Sequence, residues 1–139
     1  QEHSLEHPFM HSAEFKTLRE SLGLTISTLV KVIDVDERTL RKWEAGKKQP
    51  PQGVVDTLEG FDTLVNKTAA TIFEAHQESM KNGGQQGVVL ERFVEVEDLV
   101  KAYPAFEGLP TMTFGVVLFR VRQKFIDLGV PVSIIYAKA

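Results

Sequence analysis

The stretch from Thr25 to Pro51 constrains this chain more than any other. It runs TISTLVKVI, then DVD, then ERTLRKWEAGKKQPP. Thr25 offers a hydroxyl suited to capping free helix amides. Ile26, Leu29, Val30 and Ile33 then fall at the three- and four-residue spacing of one helical face. Asp34, Val35 and Asp36 follow as a turn: Asp tolerates the left-handed conformation that tight turns need, and Asp36 can cap the next helix. In that helix Leu40 and Trp43 face inward together, and Val35 just before the cap can join them. Glu37, Arg38, Thr39, Arg41 and Lys42 are left on the outer face. Gly46 suits the position after a helix C-cap, and Pro50-Pro51 stops the chain from continuing as helix and can open the next one. The expectation is a helix, a sharp turn, a second helix and a basic loop.

This stretch resembles the helix-turn-helix of phage-repressor and Cro-type (XRE-like) transcription regulators. The residues that carry the resemblance are Leu22-Gly23-Leu24-Thr25, Leu29, the turn at Asp34-Val35, and Trp43-Glu44-x-Gly46-Lys47-x-x-Pro50. It covers roughly Ala13 to Phe61. The family usually has a small residue where Val30 stands and Gly where Asp34 stands; both positions bear on the packing angle and turn between the helices. The resemblance implies that the helix from Asp36 to Ala45 enters the DNA major groove. Glu37, Arg38 and Lys42 match positions that contact bases. Arg38 is the strongest candidate, because a guanidinium can pair bidentately with guanine O6 and N7. Glu37 either accepts from cytosine N4 or serves only to favour the helix N-terminus. Thr39 is placed at a phosphate or a thymine methyl, and Thr25, Arg41, Lys47 and Lys48 at the DNA backbone. The resemblance also implies a structural pair, Arg19 with Glu44, tying the first helix to the end of the recognition helix.

Composition bounds the rest. A chain of 139 residues makes one domain or two small ones. It has no cysteine, so no disulfide framework and no thiolate metal site is expected. No apolar run is long enough for a bilayer, so no membrane partner is expected, and without a signal-peptide pattern the expectation is a soluble, cytoplasmic protein. Gln1 to Phe9 reads as residues added ahead of a native start at Met10 and is left out of fold reasoning. The formal net charge is −3, which argues against a nonspecific polycation. What matters for a DNA reader is clustering, and Arg38, Arg41, Lys42, Lys47 and Lys48 crowd one stretch, opposed there only by Glu44.

Upstream, Ser12 to Leu22 is expected as the first helix, capped by Ser12, with Phe15, Leu18 and Leu22 as its apolar stripe and Gly23 closing it. Downstream, Pro51 to Lys81 reads as a long helix with a heptad-like seam of Val54, Leu58, Phe61, Val65, Thr68, Ile72 and Ala75, and with Gly60 as a kink or break. That seam suits either core packing or a dimer partner. Asn82 to Gly87 is a flexible connection without the spacing of a phosphate-binding loop. Then come a strand from Val88 to Phe93, a helix from Val96 to Ala102 with Glu97 and Asp98 in its first turn, a turn at Glu107–Pro110, and a helix from Thr113 to Leu128. The last has Phe114, Val117, Leu118, Val121, Phe125 and Leu128 on one face. A strand from Val130 to Tyr136 follows. The expected architecture is mainly α: a helix-turn-helix domain over 10–66, a linking helix over 67–82, and a small α+β dimerisation domain over 83–139. Two strands alone are marginal, which argues that this last unit pairs with a copy of itself. The layout, with positions such as Tyr103-Pro104, resembles that of some anti-CRISPR-associated autorepressors.

Nothing in the pattern points to an enzyme or a cofactor. His3, His7 and His11 are spaced four apart but straddle the start at Met10, so a metal trio is not expected. His76 reads as a surface or packed histidine, and Glu95, Glu97 and Asp98 as a solvated helix start. Arg120, Arg122 and Lys124 read as a solvated face, with a second nucleic-acid contact as the sharper alternative. The expected function is a homodimeric regulator, a repressor, that reads a palindromic operator in double-stranded DNA. The alternative is an antitoxin-like interaction module that only autoregulates through its helix-turn-helix, favoured if the helix Thr113–Leu128 keeps an open apolar surface. RNA binding is a more distant third.

Overall fold

The computed structural model describes residues 10–83 and 86–138. The leading segment, with His3 and His7, and part of the Asn82–Gly87 connection lie outside the described residues. In chain order come α1 (Ser12–Ser21), α2 (Ile26–Ile33), α3 (Glu37–Glu44), α4 (Gln52–Lys81), β1 (Val88–Arg92), α5 (Val96–Ala102), a 3-10 turn (Pro104–Phe106), α6 (Thr111–Asp127) and β2 (Val132–Tyr136). The chain is therefore mainly helical, with a small two-stranded sheet late in sequence. It clusters into two compact units that divide between Phe61 and Asp62, within α4. No helix among the described residues is long and apolar enough to cross a membrane.

The first unit buries Met10, Phe15, Leu22, Leu24, Leu29, Leu40, Trp43, Val55 and Leu58. Phe15 and Trp43 meet edge to face, with ring centroids 6.1 Å apart, a geometry that aromatic quadrupoles favour. Helix α1 is capped by His11 rather than Ser12: the His11 Nδ1 accepts from the Ala13 amide at 3.0 Å. An imidazole nitrogen can accept a bond as an Asp or Ser oxygen does, and using it starts the helix one residue earlier. Thr25 caps α2, accepting from the Thr28 amide at 3.1 Å. Asp34 takes the left-handed conformation (φ 56) between α2 and α3, where its short polar side chain is tolerated.

The second unit is built on β1 and β2, which pair in parallel from Val88 opposite Val132 to Arg92 opposite Tyr136. Its core holds Val65, Ala69, Val88, Leu90, Leu99, Phe106, Leu109, Phe114, Val117, Leu118, Val121 and Phe125. Phe114 sits at the centre of an aromatic cluster with Phe93, Tyr103 and Phe106, at centroid distances of 5.3, 4.9 and 5.6 Å. Burial pushes the Tyr103 hydroxyl pKa up. Leu128, expected on the buried face of α6, is exposed, because the helix ends at Asp127 and Gly129 turns the chain with φ 78.

The seam of α4 is also corrected. Leu58 and Val65 are buried as expected, but they are joined by Val55 and Ala69; Ala75 is exposed, and Phe73 and His76 pack on Phe125 instead. The buried stripe lies on the other flank of the shared positions. A charge hides it from a hydrophobic reading, since Asp62 on that flank accepts a 3.1 Å bond from Arg120 of α6. The helix continues through Gly60 without a break into two helices.

Candidate nucleic-acid interface

Helix α3 begins where Asp36 Oδ1 accepts from the Thr39 amide at 2.7 Å. That backbone bond, then the Thr39 hydroxyl, and more weakly the charges of Arg38 and Lys42, hold the Asp36 carboxyl below its ordinary pKa. Leu40 and Trp43 are drawn into the core, three residues apart on one face. The opposite face is left to solvent: Glu37, Arg38, Arg41 and Lys42 are exposed and Thr39 is half-buried.

Two devices fix the helix at its far end. The first is the guanidinium of Arg19. Its Nε donates to Glu44 Oε2 at 2.6 Å, its Nη2 to Oε1 at 3.0 Å, and its Nη1 to the Leu24 carbonyl at 2.9 Å. Both side chains of the pair are 7% exposed. This fork joins α1, the α1–α2 turn and the last turn of α3, with the planar geometry that suits Arg and not Lys. The second device is the exit. Gly46, with φ 77, donates to the Trp43 carbonyl, and Lys47 donates to Lys42. This doubly bonded helix end satisfies two otherwise free carbonyls. A side chain at Gly46 would also crowd the Ser12 hydroxyl, 3.3 Å from where its Cβ would stand.

Between them these devices present a shallow concavity lined by Glu37, Arg38, Arg41, Lys42, Ala45 and Lys47. Of the residues expected at DNA, the structure gathers these acidic and basic side chains on one surface. Lys48 is exposed beyond the lining set. Thr25 stands at the N-cap of α2, its hydroxyl engaged with the Thr28 amide and 2.8 Å from the Thr28 hydroxyl. Glu37 is engaged along its own helix: Arg41 Nε and Nη2 both approach Glu37 Oε2 at 2.7 Å. The concavity is thus net basic while its one carboxylate holds a guanidinium in place. Two features went unread in the sequence. Ala45 forms part of the floor, where its small side chain keeps the surface open. Ser27 is exposed beside Thr25, and the hydroxyl run Thr25, Ser27, Thr28 was the signal for it.

The other basic cluster is occupied within the second unit. Arg120 Nη1 donates to Asp62 and, at 2.7 Å, to Asn66 Oδ1. Arg122 lies 5.0 Å from the centroid of the Phe119 ring and Lys124 lies 5.3 Å from that of Phe73.

Comparison with known proteins places the first unit. The family model described as Helix-turn-helix matches residues 15–61. No curated protein matches the chain. The matched span holds most of α1, all of α2 and α3 and the start of α4, and with it the Arg19–Glu44 brace and the basic concavity. Residues 15–61 of this chain are a helix-turn-helix domain of the Cro/XRE type, the fold of a family of DNA-binding transcription regulators.

Proposed function

We propose that the protein is a sequence-specific transcriptional repressor that binds a palindromic operator as a homodimer. The observation that carries this reading is the exposed face of α3, capped at its start by Asp36 and braced at its end by Arg19, inside a segment that matches the helix-turn-helix family. In this reading α3 lies in the major groove with its N-terminal residues at base edges. Arg38 pairs with guanine, Lys42 reaches a base one turn deeper on the same face, and Glu37 accepts from cytosine or orders Arg41. Arg41, Lys47 and Lys48 hold phosphates, as do the hydroxyls of Thr25 and Thr39. A dimer lying over a promoter represses by occupying the polymerase's site. The functional division of the chain is then a reading head over 10–66, a linking helix over 67–82 and a dimerising unit over 83–139, in a cytoplasmic protein that needs no cofactor.

Selection from a random pool of duplex DNA tests this reading. The expected winners contain two inverted half-sites about 10 base pairs apart, or a multiple of that, as a two-fold pair of reading heads requires. A pool that shows no enrichment contradicts sequence-specific binding. Met112, Phe119 and Ile126 stay exposed on α6, and they give the antitoxin-like alternative its footing. That alternative predicts that operator binding changes when a second protein docks there.

A further inference from the structure

We infer that the outer edge of β2 pairs antiparallel with β2 of a second copy, so that two sheets join into one of four strands in the order β1-β2-β2-β1. This names the contact surface of the proposed homodimer and rests on that reading. Val88 donates to the Pro131 carbonyl at 2.9 Å and Ala137 to the Arg92 carbonyl at 2.8 Å. In a parallel ladder with this register, Pro131, Ser133, Ile135 and Ala137 direct their backbone groups at β1. Val132, Ile134 and Tyr136 therefore direct theirs the other way, where no strand lies among the described residues. Edge strands of monomers are commonly guarded by charges or bulges. From Val132 to Tyr136 this edge carries no charge, and Ile134, Ile135 and Tyr136 are 39%, 48% and 66% exposed.

The strand is complementary to itself. A two-fold axis through Ile134 sets Ile134 opposite Ile134 of the second copy and Val132 opposite Tyr136. Every outward amide and carbonyl then finds a partner, for about six hydrogen bonds, and no charge meets a like charge. Moving the axis by one residue centres it on backbone groups that already bond β1. Arg120 and Lys124 on one flank of α6 meet α4, while Gly115 on the other flank lies against Arg92, the register partner of Tyr136. Phe119 (55% exposed) and Ile126 (40%) continue the Gly115 flank at helical spacing. An axis perpendicular to the joined sheet keeps both copies of α6 on the same side of it.

The chain lacks cysteine, so single thiols can report the register in the full-length protein. Ile134→Cys, under copper-catalysed oxidation, is expected to form a disulfide-linked dimer, because hydrogen-bonded antiparallel pairs stand about 5.5 Å apart at Cα. Ile135→Cys is expected to stay unlinked, since the two copies of that position are about 8 Å apart at Cα. Ile134→Pro removes an outward amide that β1 does not use, so it should shift sedimentation from dimer to monomer while helical ellipticity is retained. Equal linking of both thiol variants, or a wild-type dimer that never links at Ile134→Cys, overturns the strand pairing and leaves the regulator reading intact. A wild-type chain that sediments as a monomer at tens of micromolar overturns the pairing and the homodimer together. The DNA selection judges the regulator reading separately.

Discussion

Arg19 and Glu44 are buried charges, and that decides what breaking them costs. Each loses most of its hydration and is compensated chiefly by the other. Removing one leaves the other uncompensated, which for buried pairs costs about 3–5 kcal/mol, whereas replacing both by apolar residues of similar size is often near neutral. Glu44→Ala should therefore destabilise the protein by about 3 kcal/mol, and Arg19→Met with Glu44→Leu by much less. Denaturant unfolding of the singles and the double checks this, and additive losses contradict it. Asp36 makes a prediction of a different kind. Its carboxyl pKa is lowered in the folded state, so its contribution is fully present above the ordinary carboxylate value and is lost as pH falls through the lowered one. Asp36→Asn keeps a capping oxygen without the titration. The gap in melting temperature between wild type and Asp36→Asn should then narrow between about pH 5 and pH 2, and a gap that widens over that range contradicts the assignment.

Among elements, the turn between α2 and α3 sets how α3, the proposed recognition helix, is offered. Asp34 is the one non-glycine residue at positive φ among those described. Asp34→Gly should be tolerated, while Asp34→Val, β-branched in the left-handed region, should cost about 1–2 kcal/mol. Thermal unfolding of the two variants measures it, and equal stability would contradict it. This turn was legible because local chemistry alone decides it: Asp at the left-handed position, Asp36 at the cap, Gly46 at the exit. Elements settled by tertiary neighbours were legible only in part. The stripe of α4 was misplaced because Asp62, a charge, sits on its flank and pairs with Arg120. The cap of α1 was missed because His11 does work usually done by Ser or Asp. The strand expected over Val130–Tyr136 from its β-branched run forms over Val132–Tyr136, but nothing in an apolar run says that one edge of the strand stays unpaired among the described residues.

At the scale of the whole chain, one family-matched unit carries a basic concavity, and a second carries an uncharged strand edge and an apolar helix flank. The reader assignments themselves came through family resemblance; the structure adds that their side chains share one braced surface, and that Glu37 is held by Arg41. Base-reading and phosphate-holding residues differ in what they lose on random DNA, because phosphate contacts carry no sequence information. The most direct test is a salt titration of binding for Arg38→Ala and Lys47→Ala, each on the selected operator and on random duplex. Arg38→Ala should lose roughly 1–3 kcal/mol on the operator and less on random DNA, relaxing preference at one base position. Lys47→Ala should weaken both DNAs about equally and lower the salt slope by about one. If Arg38→Ala behaves like Lys47→Ala on both DNAs, α3 does not read bases through Arg38, and the proposed docking of the recognition helix is wrong.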